Sequence, residues 1–505
     1  MLAKVISGTT IGLEGVLIEV EVDVASHSFP SFNIVGLPSK SIDEAKERVR
    51  AAIINSGYQM PDTRITVNLA PADIPKDGSS FDLPIAIGIL AATGVVAKTS
   101  LKNCLFQGEL SLEGVVRKIT GTVSLALLAR NNHIENIFIP VENTKEASLV
   151  DGIKVYGTNG LLNLILHLNG HQQILSYPAT DLNSVREYEK YENLFQDIKG
   201  QETAKRALEI AAAGGHNILL KGPPGTGKTM LSRAFPSILP PLTKEEVLEV
   251  TKIYSAVGLV GDMGFVINRP FRNPHNTTSR IGLIGGGSTP APGEISLAHR
   301  GVLFLDEIPE FSRSTLESLR QPLEDGKVTI SRAQGTLTFP SRFLLLAASN
   351  PCPCGYLGHP KKPCLCMPGT ILKYKKRLSG PLLDRIDIHI DVLPVAQENL
   401  VSQQPQEYSS KIRNRVIASR TIQKERFQKS GIYTNAEMST SDIKKFCCIQ
   451  NEGMELLKKA IDRLTLSARS YFKTIKIAQT IADLSGTKEI RSCHIAEALQ
   501  FRVHD

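Results

Sequence analysis

The chain has 505 residues, 42% of them hydrophobic and 21% charged, and carries a formal net charge of +8 at pH 7. A chain of this length exceeds a single hydrophobic core, so we expect roughly two to four domains. The moderate positive charge is compatible with a nucleic-acid partner but does not require one. No run of about 18 apolar residues occurs, and the first residues lack the apolar stretch of a secretion signal. We therefore expect no membrane partner and a cytoplasmic protein.

The first part of the chain, residues 1–175, alternates strand and helix patterns and predicts an α+β domain. Residues 16–24 and 65–69 have the composition of strands, whereas residues 41–56 have the apolar spacing of an amphipathic helix. A polar stretch with little periodicity, residues 176–195, follows as a predicted linker.

A glycine-containing turn lies within this domain at residues 75–80, Pro-Lys-Asp-Gly-Ser-Ser. It resembles the serine turn of the Lon-protease domain, whose fold is related to that of ribosomal protein S5. The resemblance places Ser80 at the nucleophile and Val123 where that family has its lysine base. A serine hydroxyl without a base is not activated by deprotonation, and Lys118 lies on the wrong side of its turn. We therefore expect an architectural domain without protease activity.

The next part, residues 196–395, is rich in glycine and in short apolar runs and predicts an α/β nucleotide-binding domain. Apolar runs of this kind are typical of central parallel strands. Three such runs occur, at residues 218–220, 302–305 and 343–348. A polar linker, residues 396–410, then leads to residues 411–505, whose pattern is helical throughout.

The first apolar run is followed by residues 222–229, Gly-Pro-Pro-Gly-Thr-Gly-Lys-Thr, which fit the phosphate-binding pattern G-x-x-x-x-G-K-[ST]. In such a loop, backbone N–H groups and a helix N-terminus surround phosphate oxygens. The residues predicted to bind the nucleotide are Gly222, Pro223, Pro224, Gly225, Thr226, Gly227, Lys228 and Thr229. We expect Lys228 to contact the β- and γ-phosphates of ATP and Thr229 to ligate Mg²⁺.

Two carboxylates, Asp306 and Glu307, follow the second apolar run. Because α/β sheets place chemistry at the carboxyl ends of their strands, we expect Asp306 to hold Mg²⁺ and Glu307 to polarise the attacking water. The third run ends at Asn350, whose amide is a candidate contact for the γ-phosphate or the water. An asparagine after a strand is, however, commonly a turn residue.

These motifs resemble those of the AAA+ ATPases and, within them, the magnesium-chelatase-like branch that is also called the YifB or ComM type. Residues 197–201 resemble the segment that packs over the adenine in AAA+ proteins. Segments that resemble this branch in particular are residues 272–278, 292–301 and 380–387. The resemblance implies a P-loop parallel sheet with a helical lid, preceded by the Lon-protease-like domain.

The resemblance also implies roles for three polar residues. Asn350 matches the first sensor, and Arg469 matches the second sensor on the lid. Arg385 matches the arginine finger that completes a neighbouring subunit's site, which implies a homo-oligomeric ring. The resemblance to ComM-type proteins further implies that this ring is a hexamer. For both arginines the alternative is a surface salt bridge.

An insertion at residues 326–339 predicts a β-hairpin, which the resemblance places toward the central pore. There Lys327 and Arg332 are candidate contacts for a nucleic-acid backbone, unless the hairpin only packs between subunits. The basic stretch at residues 373–377, Lys-Tyr-Lys-Lys-Arg, suits backbone binding and base stacking, or is a solvated helix face.

Four cysteines crowd into the loop at residues 350–368. They are Cys352, Cys354, Cys364 and Cys366, and two C-x-C pairs of this kind are able to hold one tetrahedral, structural zinc ion. His359 is a possible substitute ligand, and free thiols or a redox pair are the alternative to metal binding.

The leading functional hypothesis is Mg²⁺-dependent ATP hydrolysis by a ring motor. The resemblance implies a DNA helicase or branch-migration factor that acts in recombination or natural transformation. The alternative is a chelatase-type motor that remodels a protein partner for metal insertion.

Overall fold

The computed structural model describes most of the chain. The residues described are 1–37, 39–74, 76, 78–182, 191–287, 290–332, 335–359, 362–395, 406–428, 430–464 and 467–502. Parts of both predicted linkers, residues 183–190 and 396–405, lie outside this set.

The chain divides into two compact units. The first comprises Met1–Glu187 and Thr243–Ile267, and the second comprises Tyr188–Leu242 and Asn268–Asp505. The predicted ATPase domain is therefore interrupted by the segment Thr243–Ile267, which packs with the first unit.

A mixed eight-stranded sheet is the centre of the first unit. Its strands are β1 (Leu2–Ile11), β2 (Glu14–Val24), β3 (Ser31–Val35), β4 (Arg64–Ala70), β5 (Cys104–Phe106), β8 (Asn136–Pro140), β9 (Lys154–Thr158) and β10 (Ser176–Tyr177), in the order β10-β9-β8-β5-β1-β2-β4-β3. Two further strands, β6 (Glu109–Leu110) and β7 (Val116–Arg117), form a separate pair. The predicted strands at residues 16–24 and 65–69 are confirmed as β2 and β4.

The α-helices among the described residues of the first unit are Lys40–Asp43, Ala45–Asn55, Asp82–Ala92, Thr122–Asn131, Thr144–Ala147, Leu161–Leu168 and Lys244–Ala256. The single helix predicted at residues 41–56 is therefore two helices, separated by Glu44, which keeps helical dihedral angles (φ −67°, ψ −21°). Asp82–Ala92 is buried along its whole length, as expected for a helix that is apolar on all sides. An added Cβ at Gly88 would lie 2.5 Å from Cγ2 of Val22, so this glycine allows the helix to approach the sheet.

A parallel five-stranded sheet forms the centre of the second unit. Its strands are β11 (Ile218–Lys221), β12 (Phe271–Arg272), β15 (Val302–Leu305), β18 (Leu344–Ser349) and β19 (Ile388–Asp391), in the order β12-β15-β18-β11-β19. All four pairings are parallel, and β15 and β18 are buried at every position. The three strands predicted from apolar runs are thus confirmed.

Two small hairpins also belong to this unit. Gly285–Gly286 (β13) pairs with Ala291–Pro292 (β14), and Lys327–Arg332 (β16) pairs with Gly335–Pro340 (β17). The second pair confirms the hairpin predicted at residues 326–339.

Where the structure describes the second unit, its α-helices are Glu202–Gly214, Lys228–Ala234, Arg280–Ile284, Glu294–Leu297, Arg313–Glu317, Arg320–Asp325, Pro368–Lys375, Gly380–Leu383, Ser409–Arg426, Thr440–Phe446, Asn451–Leu464, Ala468–Leu484 and Ser492–Gln500. The last five confirm the helical pattern predicted for the end of the chain. Ile481 on Ala468–Leu484 and Phe501 belong to the same buried cluster as Ile218 of β11, so these helices share a core with the sheet. None of the described helices is both long and apolar enough to cross a membrane.

Candidate nucleotide site

Three neighbouring strands of the parallel sheet deliver polar residues to one edge. β11 leads into the P-loop, β15 into Asp306 and Glu307, and β18 into Asn350. The register aligns Lys221 with Ser349, so the ends of β11 and β18 lie side by side. The carboxyl edge of the sheet therefore gathers the predicted site residues, as is usual in parallel α/β folds.

Glycines shape the P-loop. Gly225 and Gly227 have left-handed backbones, with φ of 79° and 91°, and Gly227 precedes the first turn of helix Lys228–Ala234. A Cβ at Gly222 would lie 2.2 Å from the carbonyl oxygen of Val392, so no larger residue fits there. The loop thus adopts the conformation in which backbone amides and a helix N-terminus face a phosphate.

The side chain of Lys228 lies across the loop. Its ammonium donates hydrogen bonds to the carbonyl oxygens of Gly222 and Pro223, at 2.6 and 2.8 Å, and to Oδ1 of Asn350 at 3.2 Å. Burial lowers the pKa of Lys228, while the carboxylates of Asp306 and Glu307 act in the opposite direction. A phosphate group is the ligand that matches a cation held in this position.

The predicted magnesium ligands are adjacent. The hydroxyl of Thr229 donates to Oδ2 of Asp306 at 3.0 Å, and Oδ1 of Asp306 accepts the N–H of Glu307 at 3.0 Å. Hydroxyl and carboxylate oxygens are the ligand types that Mg²⁺ prefers, so the pair fits a hydrated ion bound to nucleotide phosphates.

Glu307 has an unusual backbone conformation at the strand end. Its φ is 48° and its ψ is 46°, a left-handed conformation that costs a residue with a side chain about 1–3 kcal/mol. Its carboxylate is exposed and accepts a hydrogen bond from Nδ2 of Asn350 at 3.5 Å. Asn350 therefore connects Lys228 to Glu307, which favours a role in the site over that of a simple turn residue.

Gln201 is a supporting residue that the sequence analysis did not single out. Its φ is 61°, and its amide donates to the carbonyl oxygens of Thr226, at 3.1 Å, and Leu393, at 2.6 Å. The side chain thus links the P-loop to residues 197–201, the segment that resembles the one packing over the adenine in AAA+ proteins. The resemblance of residues 197–201 marked the segment, but not the contact that its last residue makes with the P-loop.

The four predicted zinc ligands form a cluster. All four sulfur atoms, those of Cys352, Cys354, Cys364 and Cys366, lie within 4.8 Å of one another, and three of the S–S distances are 3.4, 3.6 and 3.6 Å. Tetrahedral zinc with Zn–S bonds of about 2.3 Å places sulfurs about 3.8 Å apart, so the cluster has the right size. The N–H of Tyr356 lowers the pKa of Cys354 to about 6, whereas burial and hydrogen bonds among the thiols raise the pKa values of Cys364 and Cys366.

His359 is not part of this cluster. Its Nδ1 accepts the N–H of Lys362 at 3.1 Å, and its ring packs edge-on against Tyr356. The metal ligands that this cluster offers are therefore four thiols, and His359 is not among them.

The cysteine loop packs directly on the P-loop. Gly355 has a φ of 81°, and a Cβ there would lie 2.6 Å from Cδ of Pro224. The N–H of Gly355 donates to the carbonyl oxygen of Cys352 at 2.9 Å. The backbone next to the thiol cluster is thus in van der Waals contact with the nucleotide loop.

The two predicted arginines lie at the opposite edge of the sheet. Arg385 precedes β19, and its carbonyl oxygen accepts a hydrogen bond at 2.9 Å from Asn217, the residue before β11. The P-loop follows the other end of β11, and four strand residues at about 3.3 Å each separate the two edges by roughly 13 Å. Arg469 joins Arg385 at this edge, because it pairs with Asp384 at 2.8 Å.

The guanidinium of Arg385 is held in place within its own chain. It is paired with Glu324 and donates to the carbonyl oxygen of Pro381, and its side chain is only 11% exposed. The salt bridge named as an alternative is therefore present, and release from Glu324 is a precondition for any contact with a nucleotide.

The basic stretch at residues 373–377 does not present its aromatic ring. Tyr374 is 5% exposed, and burial raises its pKa to about 12. The suggestion of base stacking by this tyrosine is therefore wrong, because its neighbours in helix Pro368–Lys375 are exposed while the ring faces the core.

In the serine turn of the first unit, the hydroxyl of Ser79 donates to a carboxylate oxygen of Glu109, and the ammonium of Lys76 donates to the carbonyl oxygen of Pro71. Val123, at the position where the Lon resemblance has a lysine, is fully buried in a cluster with Leu105 and Ala126. Lys118 is exposed. Pro75 and Asp77 of the turn lie outside the described residues, and the carbonyl oxygen of Ser80 accepts the N–H of Gly108 at 3.0 Å.

Three family descriptions match successive parts of the chain. Residues 20–143 match "Subunit ChlI of Mg-chelatase", residues 194–400 match "Magnesium chelatase, subunit ChlI", and residues 406–502 match "Magnesium chelatase, subunit ChlI C-terminal".

Relatives of full length are similar throughout. Competence protein ComM of Haemophilus influenzae is 43% identical over 99% of this chain and 97% of its own length. The protein YifB of Salmonella typhimurium is 41% identical over 100% of this chain and 97% of its own. A further protein matches only part of the chain: Lon protease 2 of Bacillus subtilis is 32% identical over 33% of this chain and 32% of its own length.

Proposed function

The chain belongs to the magnesium-chelatase-like AAA+ family of ComM and YifB proteins, and from that premise we propose that it hydrolyses ATP as a ring motor that moves DNA strands. The observation that carries this proposal is the convergence of Lys228, Asp306, Glu307 and Asn350 at one edge of the sheet. The proposed activity is that of a helicase or branch-migration factor in recombination or natural transformation.

The residues present fit ATP with Mg²⁺. The amides of the P-loop bind phosphate oxygens, and Lys228 exchanges its two carbonyl contacts for the β- and γ-phosphates. Thr229 and Asp306 would hold the Mg²⁺ ion, which would supply positive charge beside the phosphates of ATP. Glu307 orients and polarises the water, and Asn350 keeps its carboxylate in line with Lys228.

We further propose that the site is completed by a neighbouring chain in a hexameric ring. Support comes from the position of Arg385 and Arg469 at the edge away from their own P-loop. A guanidinium from the next subunit stabilises the transition state and is worth about 10³–10⁵ in rate. Arg469 lies beside Arg385, so both arginines are proposed to act on the same nucleotide.

DNA is the proposed substrate of the motor. Support comes from the net charge of +8, from the competence function in the name of the ComM relative, and from the hairpin β16–β17, on which Lys327 is exposed. The side chain of Arg332, the second candidate contact on this hairpin, lies outside the described residues.

A structural zinc ion is the proposed occupant of the cysteine cluster. When bound, it supplies a rigid cross-link between the two C-x-C pairs. Gly355 then holds a fixed backbone against Pro224 of the P-loop. Purified protein is expected to contain one zinc per chain; Cys366→Ser is expected to lose it, and Cys448→Ser, which changes an exposed thiol outside the cluster, to keep it.

ATP-driven unwinding of forked DNA tests the proposed function. The wild-type protein is expected to unwind the fork with ATP and Mg²⁺, and Lys228→Ala to be inactive while remaining folded. ATP hydrolysis that is indifferent to DNA but stimulated by a protein partner would instead favour the chelatase-type motor.

A further inference from the structure

A basic pocket of about 480 Å³ lies next to the nucleotide site in the second unit. Four cationic side chains and one carboxylate line it. They are Arg313, Lys373, Lys376, Arg377 and Glu310. Two separate segments contribute the cations, helix Arg313–Glu317 and the end of helix Pro368–Lys375 with the residues that follow. Three of the four cations thus come from the basic stretch at residues 373–377, and tertiary structure adds Arg313 to them.

Three of these cations form no close ion pair with a described carboxylate. Arg313, Lys373 and Lys376 are exposed, and Glu317, which attracts Arg313 electrostatically, is itself paired with Arg320 at 3.0 Å. Mutual repulsion disfavours such a group of like charges unless an anion binds between them. The pocket is therefore suited to an anionic ligand.

Arg377 differs because it already has a partner. Its guanidinium pairs with Glu310 at 2.7 Å and donates to the carbonyl oxygen of Pro309 at 3.0 Å. Both groups belong to the turn Ile308–Glu310, which directly follows Glu307. The carbonyl oxygen of Glu307 also accepts the N–H of Glu310 at 2.7 Å. One side of the pocket is therefore continuous with the segment that carries the catalytic carboxylate.

The pocket has no exposed aromatic face. Phe311, which also lines it, is 3% exposed, and Tyr374 is 5% exposed. Stacking of nucleobases is thus not available, whereas charge attraction to a phosphate backbone is. Backbone contacts of this kind are independent of sequence, as a motor that travels along a strand requires.

We propose that this pocket binds phosphodiester groups of a nucleic-acid strand, and that the bound phosphate replaces Glu310 as the partner of Arg377. This inference rests on the proposed function, since it names the surface that a DNA motor uses. When a phosphate replaces Glu310 beside Arg377, the turn that follows Glu307 loses its ion pair with Arg377. Strand binding and ATP hydrolysis are therefore coupled through Glu310.

Binding of a labelled single-stranded oligonucleotide, measured by fluorescence anisotropy at several salt concentrations, tests the proposal. The pocket variant is Arg313→Ala/Lys373→Ala/Lys376→Ala. A matched control, Lys444→Ala/Lys458→Ala/Lys459→Ala, removes the same charge from exposed positions on the carboxyl-terminal helices. Thermal unfolding of both variants checks that the chain is still folded.

Counterion release sets the expected size of the effect. Each phosphate contact with single-stranded DNA contributes about 0.7 to the slope of log affinity against log salt, so three contacts contribute roughly 2. The pocket variant is therefore expected to bind about 100-fold more weakly at 0.1 M salt and nearly equally at 1 M. The control variant is expected to keep most of the wild-type slope.

Two further measurements test the coupling and the ligand. Glu310→Gln removes the competing carboxylate and is expected to bind the strand more tightly, while the pocket variant is expected to lose stimulation of ATP hydrolysis by DNA. Inorganic phosphate serves as the competing small anion.

The outcomes separate the two proposals. A pocket variant with the affinity and salt slope of the control would overturn the pocket but leave the DNA motor intact. Loss of phosphate binding with unchanged strand binding would also overturn it, because the pocket would then serve a free anion. A wild-type protein that does not bind DNA at all would overturn both the pocket proposal and the DNA motor.

Discussion

The two compact units each contain a turn that resembles a catalytic motif, but they differ in the partners that surround it. At the P-loop, Lys228 contacts Asn350, and Thr229 contacts Asp306. At the serine turn, the position that should supply a base is the buried Val123. A motif thus indicates chemistry only where the tertiary structure brings a complete set of groups to it. Three substitutions test this difference between the P-loop and the serine turn.

Of these three substitutions, Glu307→Gln should have the largest effect, because it removes the group that we propose polarises the attacking water and leaves the P-loop unchanged. We expect the rate of ATP hydrolysis to fall about 10²–10⁴-fold, with ATP affinity close to that of the wild-type protein. Steady-state phosphate release and binding of a fluorescent ATP analogue measure the two quantities. A variant that hydrolyses ATP within a few-fold of the wild-type rate would show that Glu307 does not polarise the attacking water.

Gly355→Ala should have an intermediate effect on the same site. The substitution places a Cβ against Pro224 and forces a left-handed backbone on alanine, at a cost of about 1–2 kcal/mol. If the P-loop absorbs this cost, ATP affinity falls about 10-fold, because about 1.4 kcal/mol corresponds to a factor of ten.

The zinc content of Gly355→Ala shows whether its lower ATP affinity results from loss of the cysteine cluster, because the variant retains all four cysteines. The variant is expected to contain as much zinc as the wild-type protein. Gly358→Ala is a matched control, since Gly358 also has a positive φ, of 78°, but its Cβ would meet open space. Equal ATP affinities for both variants would show that the cysteine loop does not position the P-loop.

Ser80→Ala should have the smallest effect, because the buried Val123 stands where the Lon resemblance has a lysine base. We expect unchanged ATP hydrolysis, unchanged thermal stability and no peptide cleavage by either protein. Cleavage of a casein or fluorogenic peptide substrate that is stimulated by ATP and lost in Ser80→Ala would contradict the account of the first unit.

Local patterns made much of the second unit predictable. Buried parallel strands need continuous apolar runs, so β11, β15 and β18 are visible in the sequence, and their chemistry follows at their carboxyl ends. The spacing of the P-loop reports a local backbone conformation, and the crowded cysteines report a local cluster. Each of these signals lies within a stretch of about fifteen residues or fewer.

Long-range packing was not predictable in the same way. Helix Lys244–Ala256 has a clear amino-terminal signal, in which Thr243 accepts the N–H of Glu246 at 3.3 Å. That signal does not reveal that the segment packs in the first unit, where the N–H of Gly121 donates to the carbonyl oxygen of Ser255 at 3.0 Å. The burial of Tyr374 and the contact of Gly355 with Pro224 likewise depend on residues far away in the chain.

The central claim is that each nucleotide site combines the P-loop of one chain with Arg385 of the next. Mixing two inactive variants, Lys228→Ala and Arg385→Ala, tests it most directly. Each alone is expected to be nearly inactive, since loss of an arginine finger costs about 10³–10⁵ in rate. In mixed rings, an intact P-loop meets an intact Arg385 at some interfaces, so ATP hydrolysis should reappear. Mixed oligomers that form but stay inactive would contradict the account.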